Sequence, residues 1–509
     1  MMGTEIELKL AAPPSVLRKA MHTRWLTKAA TERVNRRQLT SIYFDTPDFA
    51  LRNHDFTLRV RKSDTTNLQT IKATGTDIVQ RDEWEDEIDG DRPKLSPARH
   101  TALAPLLSHD IEKELRPVFE TSVERVVMPL RFGRSDIELA FDRGRIHTSD
   151  HHLNISEFEI ELKNGDRRDI AMLARRLAKA FPVAYGERSK AQRGYALLEG
   201  TLADAISARP VQVDPAMTTA DAFMTIGFEC LRHVTCNEIA VRRSDPEGIH
   251  QMRVGLRRLR AASSLFKEML HDRETHRIKL GLVWLTEQLG PARDYEVMLS
   301  ESIDPLLEQQ PERTDLRLLQ SDFKGERDRG YAIAKAAVAS PRYREIVLDT
   351  ALWLLDGEWR RNHDALRTAL RELPVPAFVR DELKRRARKI AKRVSRLEAL
   401  DPRRRHKLRI AVKKTRYACE FFEVPIVRDV GKKRARKFDR SLKDLQGSLG
   451  KLNDIAVHAR LASEFTQSSK ASQRAFAVGY LVGQESAASK RFLADATQAG
   501  KRMQKAVMF

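Results

Sequence analysis

The sequence predicts an α+β protein, in which an antiparallel sheet of eight strands with flanking helices precedes an all-α region of two tandem helical bundles. Apolar residues alternate with period two from Glu5 to about Leu198 and recur with period 3.6 after about residue 220. A chain of 509 residues exceeds what one hydrophobic core serves. We therefore expect domains at 1–205 and 220–509, joined by a linker at 206–219.

The strands of the first region are short alternating segments bounded by turn residues. In chain order they are EIELKL, SIYFDTPDFAL, FTLRVRK, LQTIKAT, EWEDEI, FETSVERVVM, DIELAFDRGRI and SEFEIELKNG. Helical spacing intervenes at Ser15 to Lys28, Ser96 to Leu107 and Asp169 to Ala180.

An internal repeat marks the helical region. IHQMRVGLRRLRAASSLF resembles RHKLRIAVKKTRYACEFF, so that His250 corresponds to His406 at an offset of 156 residues. Further along, LGPARD at Leu289 corresponds to LGKLND at Leu449 at an offset of 160. Two similar helical bundles in tandem explain such a repeat.

Charge is distributed unevenly along the chain. Residues 1–210 contain 34 Lys and Arg against 32 Asp and Glu, whereas residues 211–509 contain 58 against 39. The basic second half is therefore expected to bind a polyanion.

The remaining composition indicates a cytoplasmic protein. No apolar run is long enough to span a bilayer, and the first residues, MMGTEIELKL, lack the pattern of a signal peptide. The three cysteines form neither a disulfide framework nor a zinc motif. The sequence does not indicate an oligomeric state.

The predicted strands carry charged residues on one face. Glu5, Glu7 and Lys9 share a face of the first strand because successive side chains point to opposite sides. For a single strand, the simpler interpretation is a solvent-facing polar side. The same pattern recurs at Arg59 and Arg61, at Glu83, Glu85 and Glu87, and at Glu157, Glu159 and Glu161.

If the sheet closes with these faces inward, its lumen is lined by opposite charges that are costly to leave unpaired. A divalent cation and a polyanion together supply the missing partners. Carboxylates favour Mg²⁺ or Mn²⁺, and no Cys/His cluster suggests zinc. The side chains suited to phosphate oxygens are Arg59, Arg61, Lys72, Arg125, Lys190 and Arg193.

The first half resembles the CYTH domains, the triphosphate tunnel metalloenzymes. EIELK matches their ExExK signature, and YFDTPDFALRNHDFTLRVRK, LQTIKATG, QRDEWED, ELAFDRGRI, EFEIELKNG and ERSKAQRGYALL follow in the expected order. The resemblance implies an eight-stranded tunnel that hydrolyses triphosphates with a divalent cation. It assigns metal binding to Glu5, Glu7, Asp142, Glu157, Glu159 and Glu161, phosphate binding to Lys9, Arg59, Arg61, Lys72, Arg125, Lys190 and Arg193, and catalysis to Glu5, Glu7 and Lys9, with Glu85 and Glu138 as further lumen residues.

Each copy of the repeat places basic residues in a stripe beside an apolar stripe of one helix. The basic residues are His250, Arg253, Arg257 and Arg260 in the first copy and His406, Arg409, Lys413 and Arg416 in the second. A single stripe of this kind is typical of a solvated helix face, whereas two matching stripes favour a binding surface. Further basic residues could extend this surface: Arg242, Arg243, Arg258, Lys414 and Arg436.

Nucleic acid is disfavoured as the polyanion, because aromatic residues make up only 6% of the chain and no familiar nucleic-acid module is found. The pattern H-x-x-R-x-x-x-[RK]-[RK]-x-R followed by LG-x-x-[RN]-D resembles the CHAD domain, a helical family associated with polyphosphate binding. The resemblance extends from about Ala220 to Leu493.

Together these features predict an inorganic triphosphatase that cleaves tripolyphosphate to pyrophosphate and phosphate. The helical half would anchor it on long-chain polyphosphate, at polyphosphate granules in the cytoplasm. Two alternatives stay open from sequence. The tunnel could act on thiamine triphosphate or as an adenylyl cyclase, or both halves could only bind polyphosphate.

Overall fold

The computed structural model describes residues 2–62, 67–73, 80–468 and 472–506, except for the side chains of 2–5, 80–81, 109, 458–475, 485–486 and 488. The chain divides into two compact units. The first unit comprises Met1–Ala205, Thr235–Ile239 and Ser340–Glu358, and the second comprises Ile206–Val234, Ala240–Ala339 and Trp359–Phe509.

A closed antiparallel sheet forms the first unit. Strand β1 pairs with both β5 and β8, so that eight strands close in the order β1-β5-β4-β3-β2-β6-β7-β8, and β9 adds a short pairing to β1. The predicted eight-stranded antiparallel sheet is thereby confirmed. The strands are β1 (Met2–Ala11), β2 (Asn35–Asp45), β3 (Phe56–Lys62), β4 (Asn67–Ala73), β5 (Gln80–Ile88), β6 (Arg116–Phe132), β7 (Ser135–His147), β8 (His152–Asn164) and β9 (Ala184–Tyr185).

Helices cover part of the outer face of this sheet. They are α1 (Pro14–Met21), α2 (Arg24–Ala29), α3 (Ala50–Asn53), α4 (Leu95–Ala98), a 3₁₀ turn at Ala104–Leu106, α5 (His109–Glu114), α6 (Arg167–Ala180) and α7 (Lys190–Leu198). α1 and α6 pack against β8, whose Phe158 and Ile160 are buried. The apolar side chains of β8 thus form an outer core, which leaves the alternate positions to face the lumen.

Two sequence predictions for this unit are wrong. The predicted helix from Ser96 to Leu107 is only α4 and a 3₁₀ turn, because Pro105 lacks the amide hydrogen that a continuous helix requires. The predicted strand SIYFDTPDFAL ends at Asp45, whose carboxylate accepts hydrogen bonds from the backbone amides of Thr46, Leu51 and Arg52 and so fixes a turn into α3.

The second half of the chain is helical, as predicted. One helix, α15 (Pro341–Asp356), belongs to the first unit although its neighbours in sequence belong to the second. The other helices are α8 (Thr219–Thr235), α9 (Glu238–Arg242), α10 (Pro246–Leu265), α11 (Arg273–Gln288), α12 (Gly290–Met298), a π-helical turn at Leu299–Ile303, α13 (Asp304–Gln309), α14 (Thr314–Ala339), α16 (Glu358–Arg361), α17 (Ala365–Glu372), α18 (Val375–Val394), a 3₁₀ turn at Leu397–Ala399, α19 (Pro402–Phe421), α20 (Glu423–Val430), α21 (Lys432–Ser468) and α22 (Ser472–Lys505).

The repeat is visible in α10 and α19, the helices that carry the two basic stripes. Both helices have 20 residues, start with proline and are capped by an aspartate, Asp245 or Asp401, that accepts a backbone amide hydrogen bond. The two helices pack together, and the equivalent residues Phe266 and Phe422 meet with ring centroids 6.1 Å apart. The predicted apolar stripes of both helices are buried.

No helix within the described part of the chain has the length and apolar character needed to cross a membrane.

Candidate functional site

The closed sheet of the first unit encloses a charged cavity of about 440 Å³. Its lining therefore contradicts the simpler interpretation that the charged strand faces point to bulk solvent. Among the described residues, eight carboxylates and eight basic side chains line it. The carboxylates are Glu7, Glu83, Glu85, Glu87, Glu138, Asp142, Glu159 and Glu161, and the basic residues are Lys9, Arg37, Arg59, Arg61, Lys72, Arg125, Lys163 and Lys190.

Lys190 is the shared cationic partner of the buried carboxylates on β7 and β8. Its Nζ donates hydrogen bonds of 2.7 Å to Asp142 and Glu159 and lies 2.6 Å from Oε1 of Glu157. Burial alone would lower the pKa of Lys190, but these three carboxylates raise it above its ordinary value. The position of Lys190 is fixed by a capping box at the start of α7, in which Ser189 and Gln192 bond reciprocally to each other's backbone amides.

Arg125 binds two of the same carboxylates. Its guanidinium donates to both oxygens of Asp142, at 2.8 and 2.6 Å, and also to Glu159. Burial alone would raise the pKa of Glu159, but Lys190, Arg125 and Lys9 hold it well below its ordinary range. Glu159 is therefore a carboxylate throughout the neutral range.

The first strand contributes Glu7 and Lys9 to the cavity, as predicted. The Lys9 ammonium group donates to Glu7 and lies 3.5 Å from Glu159 on the neighbouring strand, where β1 and β8 pair. The side chain of Glu5, predicted to be catalytic and to bind metal, lies outside the described side chains.

An excess of positive charge marks the part of the cavity formed by β2 and β3. Burial alone would raise the pKa of Tyr43, but the adjacent Arg59 lowers it. Arg59 and burial together lower the pKa of Arg61 to about 10, with a further contribution from Arg125. Within the described part of the chain, the buried Nε atoms of Arg59 and Arg61 have no hydrogen-bond partner. Such donors suit the oxygens of a bound anion.

A set of oxygen donors that fits a divalent cation lies at the cavity wall, formed by two lining residues, Asp142 and Glu159, and by the adjacent Glu157. Asp142, Glu157 and Glu159 are buried, and each offers a carboxylate oxygen within 4.8 Å of the others. Hard oxygen ligands of this kind suit Mg²⁺ or Mn²⁺. Because Lys190 is already paired with all three carboxylates, a cation bound there would compete with these ion pairs.

The structure brings together most of the predicted site. Lys72 lies 3.0 Å from Glu83, and Glu161 lies beside Lys163 at the cavity wall. The predicted Glu157 and Arg193 are paired with each other at 2.7 Å and lie outside the cavity lining.

Sequence reasoning missed Arg37, Tyr43 and Lys163. Period-two spacing from Tyr43 back through Ser41 and Leu39 would have placed Arg37 on the lumen face. The strand was not predicted to include Arg37, because residues Asn35 to Gln38 are all polar and show no alternation of apolar and polar residues.

The basic stripes of α10 and α19 converge in the second unit. Arg253 donates to Asp294 over 3.2 Å, while the charges of Arg257 and Arg409 both act on Lys413. Burial first, and then these two arginines, lower the pKa of Lys413 to about 8. Three basic side chains from two helices, Arg257, Arg409 and Lys413, thus lie close enough to repel one another. A bound anion would reduce this repulsion.

The outer ends of the stripes make polar contacts that repeat between the copies. Arg260 donates a hydrogen bond to the Thr286 hydroxyl at 3.5 Å, and Arg416 donates one to the side-chain oxygen Oε1 of Gln446 at 3.1 Å.

The two histidines differ between the copies. Nδ1 of His406 lies 2.5 Å from Oδ1 of Asn453. Burial and the charge of Arg293 lower the pKa of His250, so that this imidazole is neutral at pH 7.

One basic residue expected on this surface is not there. Arg258 is only 1% exposed and forms an ion pair with Glu420 at 2.7 Å, beneath the ring of Phe421. Arg258 follows Arg257 of the basic stripe in sequence but lies on the apolar side of α10. It therefore forms its ion pair inside the second unit and not on the basic surface.

Comparisons with known proteins agree with this architecture. The CYTH domain model matches residues 3–195, and the CHAD domain model matches residues 225–463. An inorganic triphosphatase from Haemophilus influenzae is 31% identical over 200 residues, which are 38% of this chain and 55% of that protein. The chain thus spans about half the length of this curated relative.

Two solved structures are also similar. The CHAD domain from the plant Ricinus communis is 31% identical with a TM-score of 0.50, over 58% of this chain and 95% of that one. A putative adenylyl cyclase from Hippeastrum, described as having a dominant triphosphatase activity, is 17% identical with a TM-score of 0.27, over 39% of this chain and 98% of that one. The chain belongs to the proteins in which a CYTH domain, at residues 3–195, is followed by a CHAD domain, at residues 225–463.

Proposed function

We propose that the first unit is a divalent-metal-dependent triphosphatase that hydrolyses tripolyphosphate to pyrophosphate and phosphate. The observation that carries this proposal is the cavity within the closed sheet, which among the described residues is lined by eight carboxylates and eight basic side chains. A cavity that combines carboxylates with basic side chains suits a ligand that combines an oligoanion with cations, because the ligand then offers an opposite charge to each kind of side chain. A metal complex of tripolyphosphate is such a ligand.

The side chains divide the work by charge. Asp142, Glu157 and Glu159 would hold Mg²⁺ or Mn²⁺, which supplies neutralisation of phosphate charge and activation of water. Arg59 and Arg61 bind and orient phosphate oxygens, and their positive charge stabilises the charge that develops on the transferred phosphoryl group. The surrounding strands restrict bulk water and so strengthen these interactions.

The inorganic triphosphatase relative supports this substrate, although its likeness covers only part of each protein. Thiamine triphosphate and ATP are the competing substrates. Phosphate release by the full chain should therefore be compared for tripolyphosphate, thiamine triphosphate and ATP, each with Mg²⁺ or Mn²⁺. Equal or faster turnover of an organic triphosphate would contradict the proposed substrate.

A variant that combines Glu5→Ala with Glu7→Ala tests whether the cavity is the catalyst. We expect phosphate release to fall by roughly a hundredfold or more, because carboxylates that serve metal or water are lost. Glu124→Ala, a change on β6 at a residue outside the cavity lining, is the matched control. Unchanged phosphate release in the double variant would show that the cavity is not the catalyst. The alternative of a protein that only binds polyphosphate would then be favoured.

We further propose that the second unit binds long-chain polyphosphate through the stripes of α10 and α19, which would place the protein at polyphosphate granules. Changing Arg253, Arg257, Arg409 and Lys413 together to Glu should abolish capture of polyphosphate while tripolyphosphate turnover stays near the wild-type rate. Loss of turnover with intact capture would refute this division of labour.

A further inference from the structure

The tandem repeat allows equivalent contacts in the second unit to be compared. An offset of 156 residues relates α10 to α19, and an offset of 160 relates the segments that follow. The contacts of Arg260 with Thr286 and of Arg416 with Gln446 obey both offsets. The two copies thus use the same positions for the same kind of contact.

One pair of equivalent contacts differs in chemistry. Arg258 corresponds to Lys414, and Glu420 corresponds to Ser264. Arg258 has its carboxylate partner, because Nη2 lies 2.7 Å from Oε1 of Glu420. Lys414 instead donates to the Ser264 hydroxyl at 3.0 Å. The second contact has the cation but not the anion.

A second cation contacts the same serine. Arg386 of α18 donates to the backbone oxygen of Ser264 at 3.2 Å, and its Nε is bonded to Glu382 at 2.6 Å. Burial lowers the pKa of Lys414, and so do the charges of Arg386, Arg260 and Lys279. Lys414 and Arg386 are partly buried, whereas Arg260 is exposed, so the cluster reaches the surface.

We propose that Lys414, Arg386, Lys279 and Arg260 form an additional phosphate subsite, in which a phosphate group of a bound chain takes the place that the Glu420 carboxylate has in the equivalent contact. This inference rests on the proposed polyphosphate binding. Arg260 belongs to the basic stripe of α10 and to this cluster, so the two surfaces are continuous. A long chain has enough phosphate groups to occupy both at once, whereas tripolyphosphate has only three.

Ser264→Glu tests the subsite by supplying the missing carboxylate. The new side chain should pair with Lys414 as Glu420 pairs with Arg258, and should weaken binding of long-chain polyphosphate by roughly tenfold. Ser264→Gln has nearly the same size without the charge and is the matched control. The dependence of log Kd on log salt should also become shallower in Ser264→Glu, because fewer cations meet the polyanion.

The readouts are the Kd of the full chain for long-chain polyphosphate and for tripolyphosphate, together with the melting temperature. The proposal requires weaker long-chain binding in Ser264→Glu than in Ser264→Gln, similar tripolyphosphate binding in both, and no loss of thermal stability in Ser264→Glu. Equal long-chain affinity of the two variants would overturn the subsite. Failure of the wild-type chain to bind polyphosphate of any length would instead overturn the proposed function of the second unit.

Discussion

At the scale of single residues, the cavity is organised by charges that the fold leaves incompletely paired. Arg61 is the clearest case, because neighbouring arginines and burial together lower its pKa to about 10. Folding must therefore place this guanidinium where its charge is disfavoured. A bound phosphate chain would remove that penalty, so we expect Arg61 to lower the stability of the free protein and to favour phosphate binding.

Replacing Arg61 by Met should separate these two effects. We expect kcat/KM for tripolyphosphate to fall by roughly a hundredfold, since a charged donor to phosphate is lost, and the melting temperature to rise. Arg143→Met changes an exposed arginine on β7 and serves as the control. An unchanged kcat/KM in Arg61→Met would exclude this residue from phosphate binding.

Lys413 should make the proposed polyphosphate binding depend on pH. In the free protein this lysine is charged below its pKa of about 8 and neutral above it. Because polyphosphate binds the charged form, affinity should fall as pH rises, by up to about tenfold between about pH 7 and about pH 9. His250 does not oppose this trend, since its lowered pKa leaves it neutral over that range.

Lys413→Arg should remove most of this dependence, because arginine stays protonated at these pH values. Lys407→Arg, an exposed change on the same helix, should retain the wild-type profile. Binding isotherms of the full chain across the pH range measure both, and a profile that is unaltered in Lys413→Arg would contradict the assignment.

Arg257 and Arg258 show how far sequence alone reaches at this scale. Both are arginines of one helix. The sequence pattern predicts Arg257 in the basic stripe and Arg258 as a further residue of the same binding surface. Only the tertiary contact with Glu420, 162 positions further along the chain, shows that Arg258 is internal. Helical spacing predicts on which side of a helix a side chain lies. Whether that side faces solvent or another helix depends on the tertiary packing.

At the scale of elements, α7 holds Lys190 in the cavity through close packing. Gly194 lies one turn after Lys190, and a methyl group there would approach the Phe119 ring to 2.2 Å. Phe119 cannot yield easily, because it stacks on Tyr43 with centroids 4.4 Å apart and also contacts Tyr195. The glycine thus allows α7 to approach β6 closely enough for Lys190 to reach its carboxylates.

Gly194→Ala should therefore destabilise the protein by about 1–3 kcal/mol, the usual cost of overpacking, and reduce kcat by displacing Lys190. Adding Phe119→Leu should recover part of both losses, since the smaller side chain admits the methyl group. Urea unfolding and phosphate release measure the two effects. Destabilisation without any change in kcat would show that α7 does not position Lys190.

The elements that sequence predicted best are those with a strict period. The strands from Phe56, Asn67 and Ser135 follow from alternation alone, whereas the stretch from Ser96 to Leu107 has helical spacing but forms only the short α4 and a 3₁₀ turn. Two prolines interrupt that stretch. Because proline cannot donate a backbone hydrogen bond, no continuous helix forms there although the apolar residues have helical spacing. The closure of the sheet through β1 and β5 is a non-local pairing that no local period encodes.

At the scale of the whole molecule, charge separates the two proposed activities. The balanced charges of residues 1–210 suit a cavity that would bind metal and phosphate together, whereas the excess of basic residues in 211–509 suits the proposed direct binding of phosphate. The candidate metal ligands Asp142, Glu157 and Glu159 lie in the first unit, and the basic stripes lie in the second.

Removal of divalent metal should therefore affect the two activities differently. Chelation should abolish phosphate release from tripolyphosphate, because the carboxylates need a cation before an anion can bind beside them, and added Mg²⁺ or Mn²⁺ should restore it. Capture of long-chain polyphosphate by the same full chain should persist without metal, since in the proposed complex Arg253, Arg257 and Arg409 would contact phosphate themselves. Parallel measurement of release and capture across a chelator titration tests this, and a parallel loss of both would show that metal also organises the helical surface.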